Sequence, residues 1–315
     1  MKLLNAVTRY ITYRQTLGDL FQTNGRILKA FARTMGLRMR LAHVQPEHVC
    51  RFLNGPGPLT TNWHAKHQAL RGFYLYAISR AYVKTSPLPT AVPKRPPPFV
   101  PYIYTHQELR ALLDTSLTYQ INSSRIEPSM VRTLLLLLYG AGLRVREAIS
   151  LTIADVNLEQ TVLTIRQTKF RKTRLVPFGQ HLAKALRQYA AERRHDGHPK
   201  NCDAPFFISR DGRAIHQCTI EDIFQRIRGK ADIRRTDGAR YQPRLHDLRH
   251  TFAVHRLIAW YKQGADVQTW LPALSVYLGH TYLAATSVYL TMTPTLLDQA
   301  NRRFQQYAFP EVPHD

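Results

Sequence analysis

Two short runs in the last third of the chain hold side chains suited to chemistry on a phosphate. R-L-H-D-L-R-H carries His246, Arg249 and His250. On a helix His246 and Arg249, three apart, share a face and can address one phosphate. L-G-H-T-Y-L-A-A-T-S-V-Y-L carries His280 and, nine residues on, Tyr289, with Tyr282 as a second hydroxyl only two residues after His280. Further upstream, A-G-L-R-V-R-E sets Arg144 and Glu147 just after a glycine break. A guanidinium at such a helix start can fork two hydrogen bonds onto phosphate oxygens. Q-T-K-F-R-K-T-R offers Lys169 and Lys172. Singly, each run has an ordinary structural explanation: an Arg–Glu ion pair, a core tyrosine, a solvated hairpin tip. His246 and His250, spaced by four, could also be metal ligands, but no third or fourth ligand stands nearby in the sequence, so neither a metal nor a cofactor is expected.

The elements around these runs can be read from periodicity and punctuation. Thr105 and Glu108 form a capping box that starts a helix through Leu113. An apolar helix runs from Met130 to Tyr139, and Gly140 and Gly142 interrupt it. Between Leu151 and Val176 the period changes: T-I-A-D-V-N, T-V-L-T-I-R and T-R-L-V-P are short β-branched runs separated by turns, predicting a small antiparallel sheet with Lys169 in a strand-turn-strand. Helical patterns resume at about 181–192, 217–228 and 245–263, then in short segments from Pro272 to Tyr307. The first part of the chain reads as helices over Tyr10–Thr34, Pro46–Leu53 and Thr61–Val83, with breakers at 54–58. From Ser86 to Pro101 the run S-P-L-P-T-A-V-P-K-R-P-P-P-F-V-P predicts an extended, semi-rigid linker. The predicted fold class is therefore α+β: an all-α domain over 1–95, a Pro-rich linker over 86–101, and a mainly helical domain with a small antiparallel sheet over 102–315.

Charge narrows the partner. The 315 residues carry 44 Lys and Arg against 21 Asp and Glu, a formal net charge of +23. Such an excess points to a polyanion, with nucleic acid ahead of an anionic membrane surface. Residues 1–95 hold fifteen basic and only two acidic side chains, Asp19 and Glu47, so this smaller part is the more basic per residue. Trp63, Phe73, Tyr74 and Tyr76 lie among those charges and read as helix core before base contacts. The most apolar run, Leu134 to Leu138, is far shorter than the roughly 20 residues of a spanning helix. The N-terminus turns polar before a secretory core can form. A cytoplasmic, nucleoid-associated location with no membrane partner is expected. Cys50, Cys202 and Cys218 read as free, partly buried thiols.

The order of the motifs says more than any one of them. Arg, a Lys in a β-turn, H-x-x-R, L-G-H and a Tyr nine residues later resembles the tyrosine recombinases, or phage integrases, from about Thr105 to Tyr307. T-K-F-R-K-T-R-L-V-P is similar to the family's G-K-x-x-K-x-R-x-V-P and selects Lys169. The resemblance implies a core-binding domain at 1–95 and a catalytic set of Arg144, Lys169, His246, Arg249, His280 and Tyr289, with Glu147 orienting neighbouring cations. In that setting Tyr289 is the nucleophile that forms a 3′-phosphotyrosyl bond, with His246 as candidate base and Lys169 as general acid. The arginines and His280 hold the phosphate. No G-x-x-x-x-G-K-[ST] loop or acidic cluster is present, so no nucleotide or metal requirement is expected. The family also implies double-stranded DNA as partner and a homotetramer in the synapse, joined by a C-terminal helix at about 294–308 that docks on a neighbour. The basic helical domain starts almost at residue 1, so short inverted recognition sites are expected. Asp266 to Pro272 reads as an added loop, because H-x-x-R and L-G-H lie closer together in the simplest relatives. Two other readings remain: a type IB topoisomerase, and a non-catalytic DNA-binding protein on the same fold.

Overall fold

The computed structural model describes residues 1–56, 59–96, 99–119, 124–166, 173–239, 241–280 and 282–291, with 298 and 301. The chain divides into two compact units, Met1–Phe99 and Val100–Asp315.

The first unit is helical: α1 (Leu3–Thr16), α2 (Gln22–Met35), α3 (Pro46–Asn54) and α4 (Thr61–Ser79). Its core gathers Val7, Leu28, Phe31, Val49, Leu70 and Phe73. Trp63, Phe73 and Tyr74 are buried in that core and Tyr76 packs against it. The helix expected over Tyr10–Thr34 is two helices. Gly18 takes a φ of +88° between them, a left-handed turn that suits glycine. On α2, Leu28, Phe31 and Ala32 face inward while Arg26, Lys29 and Arg33, three and four apart, stay exposed on another face.

The second unit is built on α6 (Pro128–Gly140), which buries Met130, Val131, Leu134, Leu135, Leu137 and Leu138. A helix apolar on nearly every side must be surrounded. Around it pack α5 (His106–Thr118), α8 (Gln180–His195) and α10 (Asp247–Lys262). The capping box at α5 is present, with Thr105 Oγ1 accepting from Glu108 N at 3.1 Å and Glu108 Oε2 accepting from Thr105 N at 2.8 Å. The short α7 (Val145–Ile149) follows α6, and α9 (Gln217–Lys230), α11 (Val267–Leu278) and α12 (Ala284–Ser287) complete the helices among the described residues.

The sheet is a three-stranded antiparallel meander, β1 (Val156–Asn157), β2 (Val162–Ile165) and β3 (Arg174–Pro177). Leu163 pairs with Val176 and Ile165 with Arg174. Leu163, Ile165 and Val176 share the buried face. The first predicted strand is shorter than its β-branched pattern suggests. Thr152 and Asp155 cap a 3-10 turn over Ile153–Asp155, leaving a two-residue strand.

Two readings need correction. Asp266 to Pro272 is not a loop: Asp266 accepts from Gln268 N at 3.0 Å and Thr269 N at 3.4 Å, and caps α11, with Pro272 inside the helix. Cys202 and Cys218 are exposed and only Cys50 is half-buried. No helix among the described residues is long and apolar enough to cross a membrane.

Candidate active site

The site forms where the turn after α6 meets the C-terminal end of α11. Gly142 has a φ of +58°, and a Cβ there would collide with the Phe252 ring, so glycine alone lets the chain turn against α10. The turn brings Arg144 to the N-cap of α7. Glu147, in the first turn of α7, accepts from Arg144 N at 3.1 Å and from Arg144 Nη1 at 2.7 Å.

Glu147 is also gripped from the sheet. Arg174, at the start of β3, donates Nη2 to Glu147 Oε2 at 2.8 Å and Nη1 to Oε1 at 3.1 Å. Arg249 Nη1 lies 3.9 Å from the same carboxylate. Burial by itself would raise the Glu147 carboxyl. The Arg174 hydrogen bonds and charge, then Arg144, override it and hold the group at about 2. One half-buried carboxylate thus organises three guanidiniums, and their excess positive charge is left for an anion.

The end of α11 fixes the same cations from the other side. Successive carbonyls of Tyr277, Leu278 and Gly279 accept from Arg174 Nε at 2.9 Å, Arg249 Nη2 at 2.5 Å and Arg144 Nη2 at 3.1 Å. Helix C-terminal carbonyls are unsatisfied and carry partial negative charge, so cations there are favoured. Gly279 has a φ of +67°, and a Cβ would stand 2.7 Å from Arg174 Nη1, so glycine is required in L-G-H on both counts. Arg249 also donates Nη1 to Gly142 O at 2.8 Å, and only 2% of it is exposed. Burial, then Arg144, lowers its guanidinium to about 10, which leaves it charged at neutral pH.

His246 stands just before α10, at its N-cap position, without a capping side-chain hydrogen bond. Burial, then Arg249 and Arg244, lowers it to about 4. Asp247 is fully buried and pairs with Arg244 at 2.9 Å, tying down the chain just before α10. His280 follows the α11 cap, and its Nδ1 lies 2.6 Å from Thr286 Oγ1. It is lowered to about 4 by burial, then by Arg249 and Arg144. Tyr289, on a 3-10 turn over Val288–Thr291, is 3% exposed, and its ring stacks on His280 with centroids 6.1 Å apart. Burial raises the Tyr289 phenol, while Arg249 and Arg144 pull the other way. Tyr282, the other hydroxyl in this run, is 74% exposed.

Five of the six expected catalytic residues, Arg144, His246, Arg249, His280 and Tyr289, therefore converge with Glu147. The sixth, Lys169, lies outside the described residues, as does the tail at 294–308 apart from Asp298 and Asn301. The site holds two side chains to which the sequence reading gave no such part. Arg174 was part of the K-x-R-x-V-P pattern but received no role. His250 was weighed only as a metal ligand. Its Nδ1 lies 3.1 Å from Tyr289 Oη, and its ring meets that of His246 at 87°, edge to face. Among the described residues no three His, Cys, Asp or Glu gather as a metal cage.

The family model for phage integrases matches residues 103–295, the whole of this arrangement. The chain belongs to the phage integrase family. It is a site-specific tyrosine recombinase, of the kind that cuts and rejoins DNA through a tyrosine. A protein named as an integrase/recombinase, y4rB of Sinorhizobium fredii, is 32% identical over 304 residues, covering 96% of each chain. The tyrosine recombinase XerC of Chlorobaculum tepidum is 31% identical over 245 residues, 72% of this recombinase and 68% of that one. In fold, the recombinase is similar to the Tn1549 transposon integrase in complex with transposon right end DNA. That likeness has a TM-score of 0.68 at 16% identity and covers 98% of this chain and 100% of the other.

Proposed function

We propose that this recombinase cleaves and rejoins DNA with Tyr289 as nucleophile, Arg144 and Arg249 on the non-bridging oxygens of the scissile phosphate, and His280 adding a hydrogen bond to it. The observation that carries this reading is the convergence of both arginines, His280 and Tyr289 at the end of α11. Attack on phosphorus adds negative charge to the non-bridging oxygens, so fixed guanidiniums stabilise the transition state more than the ground state. The 5′ oxygen leaves with a proton from Lys169. The product is a 3′-phosphotyrosyl bond and a free 5′ hydroxyl. Bond energy is retained, so a second 5′ hydroxyl can rejoin the strand without nucleotide hydrolysis. Glu147 and Arg174 are positioning residues that set the angle of Arg144.

The basic unit at 1–99 is the core-binding half, gripping duplex DNA with short inverted recognition sites. Exchange of four strands needs four nucleophiles, so four copies act in one synapse, linked by the segment at about 294–308. The substrate is the chromosome or a mobile element, in the cytoplasm at the nucleoid. Incubation with supercoiled plasmids that carry, or lack, the inverted repeats flanking the gene tests the whole reading. Recombinant circles from the repeat-bearing plasmid support it. Relaxation of either plasmid indicates a topoisomerase, and binding with no strand cleavage indicates a DNA-binding protein.

A further inference from the structure

Among the described residues, no hydrogen bond joins His246 to Tyr289. The imidazole at hydrogen-bond distance from the Tyr289 oxygen is that of His250, at 3.1 Å, with ring centroids 5.6 Å apart. Distance is the first requirement for a general base. Arg249 also lies close to Tyr289, and its charge favours the phenolate. A guanidinium has donors and no acceptor, so the phenol cannot direct its own proton at Arg249. His250 Nδ1 is the neighbour that can take this proton, accepting in the tautomer with hydrogen on Nε2. His250 is neutral across the physiological range, because burial, then His246, Arg244, Arg249 and His280, lowers it to about 3. The phenol therefore sits between a cation that stabilises its anion and a neutral nitrogen that can receive its proton.

On the reading of Tyr289 as nucleophile, we infer that His250 is a catalytic residue and takes the Tyr289 proton during strand cleavage. As the oxygen of Tyr289 bonds to phosphorus, its O–H bond breaks and the proton passes to His250 Nδ1, giving an imidazolium. The phosphorus–O5′ bond breaks at the same centre, and O5′ takes a proton from Lys169. Rejoining runs in reverse, with the imidazolium returning its proton to the phenolate oxygen as it leaves phosphorus. The incoming phosphodiester brings negative charge beside Arg249 and Arg144. That charge offsets the cations that disfavour an imidazolium at His250, so proton transfer is tied to the presence of DNA. His246, at the start of the same helix and beside Arg249, is left to the phosphate.

The test needs a duplex that the wild-type protein itself selects. Duplexes captured covalently by the full-length wild type from a randomised pool are remade with a nick that traps the adduct, and single-turnover rates are read on denaturing gels. His250→Asn keeps a polar group near Nδ1 but cannot hold the proton. It should lose about 100-fold or more in adduct rate with duplex binding unchanged in a gel shift. His250→Ala should lose as much and recover with added imidazole, which loss of packing alone would not allow. Sulfur at the 5′ bridging position leaves without a proton. It should rescue Lys169→Ala and leave His250→Ala slow. Wild-type rates in His250→Asn, or sulfur rescue of His250→Ala, overturn the assignment of His250 while leaving Tyr289 in place. No captured duplex, or an adduct formed by Tyr289→Phe, overturns the nucleophile itself and His250 with it.

Discussion

The two units use positive charge in opposite ways. On α2 of the first unit, Arg26, Lys29 and Arg33 line an exposed face behind which Leu28 and Phe31 fill the core. In the second unit, Arg249 and Arg174 are folded inward and every guanidinium of the site has named carbonyl or carboxylate partners. Exposed cations attract a polyanion from a distance, are individually weak and are screened by salt. Buried, directed cations cannot be exchanged for one another, since each holds a fixed angle that a Lys cannot reproduce. On the proposed reading the contrast separates capture from chemistry, and substitutions in the two places should fail differently.

The largest effect is expected at Tyr289, the proposed nucleophile. Tyr289→Phe should keep the ring stacked on His280 and abolish the covalent adduct on a denaturing gel, while Tyr282→Phe should form it normally. Next come the inward cations. Arg249→Lys and Arg144→Lys should slow single-turnover cleavage on the order of 100- to 1000-fold, with duplex affinity in a gel shift little changed. Near-normal rates in both would erase the contrast between the units. Glu147→Gln leaves three guanidiniums without their carboxylate and should cost about 3 kcal/mol in urea unfolding of the catalytic unit.

Acid should separate the units as well. His246, His250 and His280 are held to about 4, 3 and 4, below the ordinary 6.5. Between those limits the unfolded chain binds protons that the folded chain refuses, so stability falls as pH drops below 6.5. Glu147 acts at lower pH. Its stabilisation is complete above 4.5 and is lost as pH falls toward 2. Thermal unfolding at pH 7 and pH 5 should therefore show the transition of the catalytic unit at a lower temperature at pH 5. Substituting His280 with Asn should reduce that shift. The smallest effect is expected on α2. Replacing Arg26, Lys29 and Arg33 together with Gln should lower the salt slope of DNA binding by up to about 3 and leave cleavage of saturated substrate unchanged.

What the sequence made legible follows the range of the interactions. The capping box at Thr105, the apolar α6 and the motifs around Arg144, Arg249, His280 and Tyr289 depend on neighbours a few residues away or on a recognisable order. Gly18 escaped notice because one glycine in a helical period looks tolerable until its left-handed turn is seen. Asp266 to Pro272 was read as an added loop because H-x-x-R and L-G-H stand farther apart than in the simplest relatives, whereas the Asp266 side chain starts a helix there. Arg174 and His250 were visible as residues but not as parts of a site. The partners of Arg174 are 27 and 103 residues away, and the partner of His250 is 39 residues away. No local pattern encodes such contacts.

The last carbonyls of α11 act as a ruler for the chemistry. Three consecutive peptide units each hold one guanidinium, so the spacing of those cations is set by the covalent repeat of the backbone rather than by three independent side-chain choices. A rotation of this helix end carries all three together, and the site is assembled or dismantled as one piece. The same arrangement makes the chain unequal in its tolerance of length. A residue inserted near Gly264, in the turn before α11, can be absorbed where the helix begins, whereas one inserted between Tyr277 and His280 shifts every cation out of register at once.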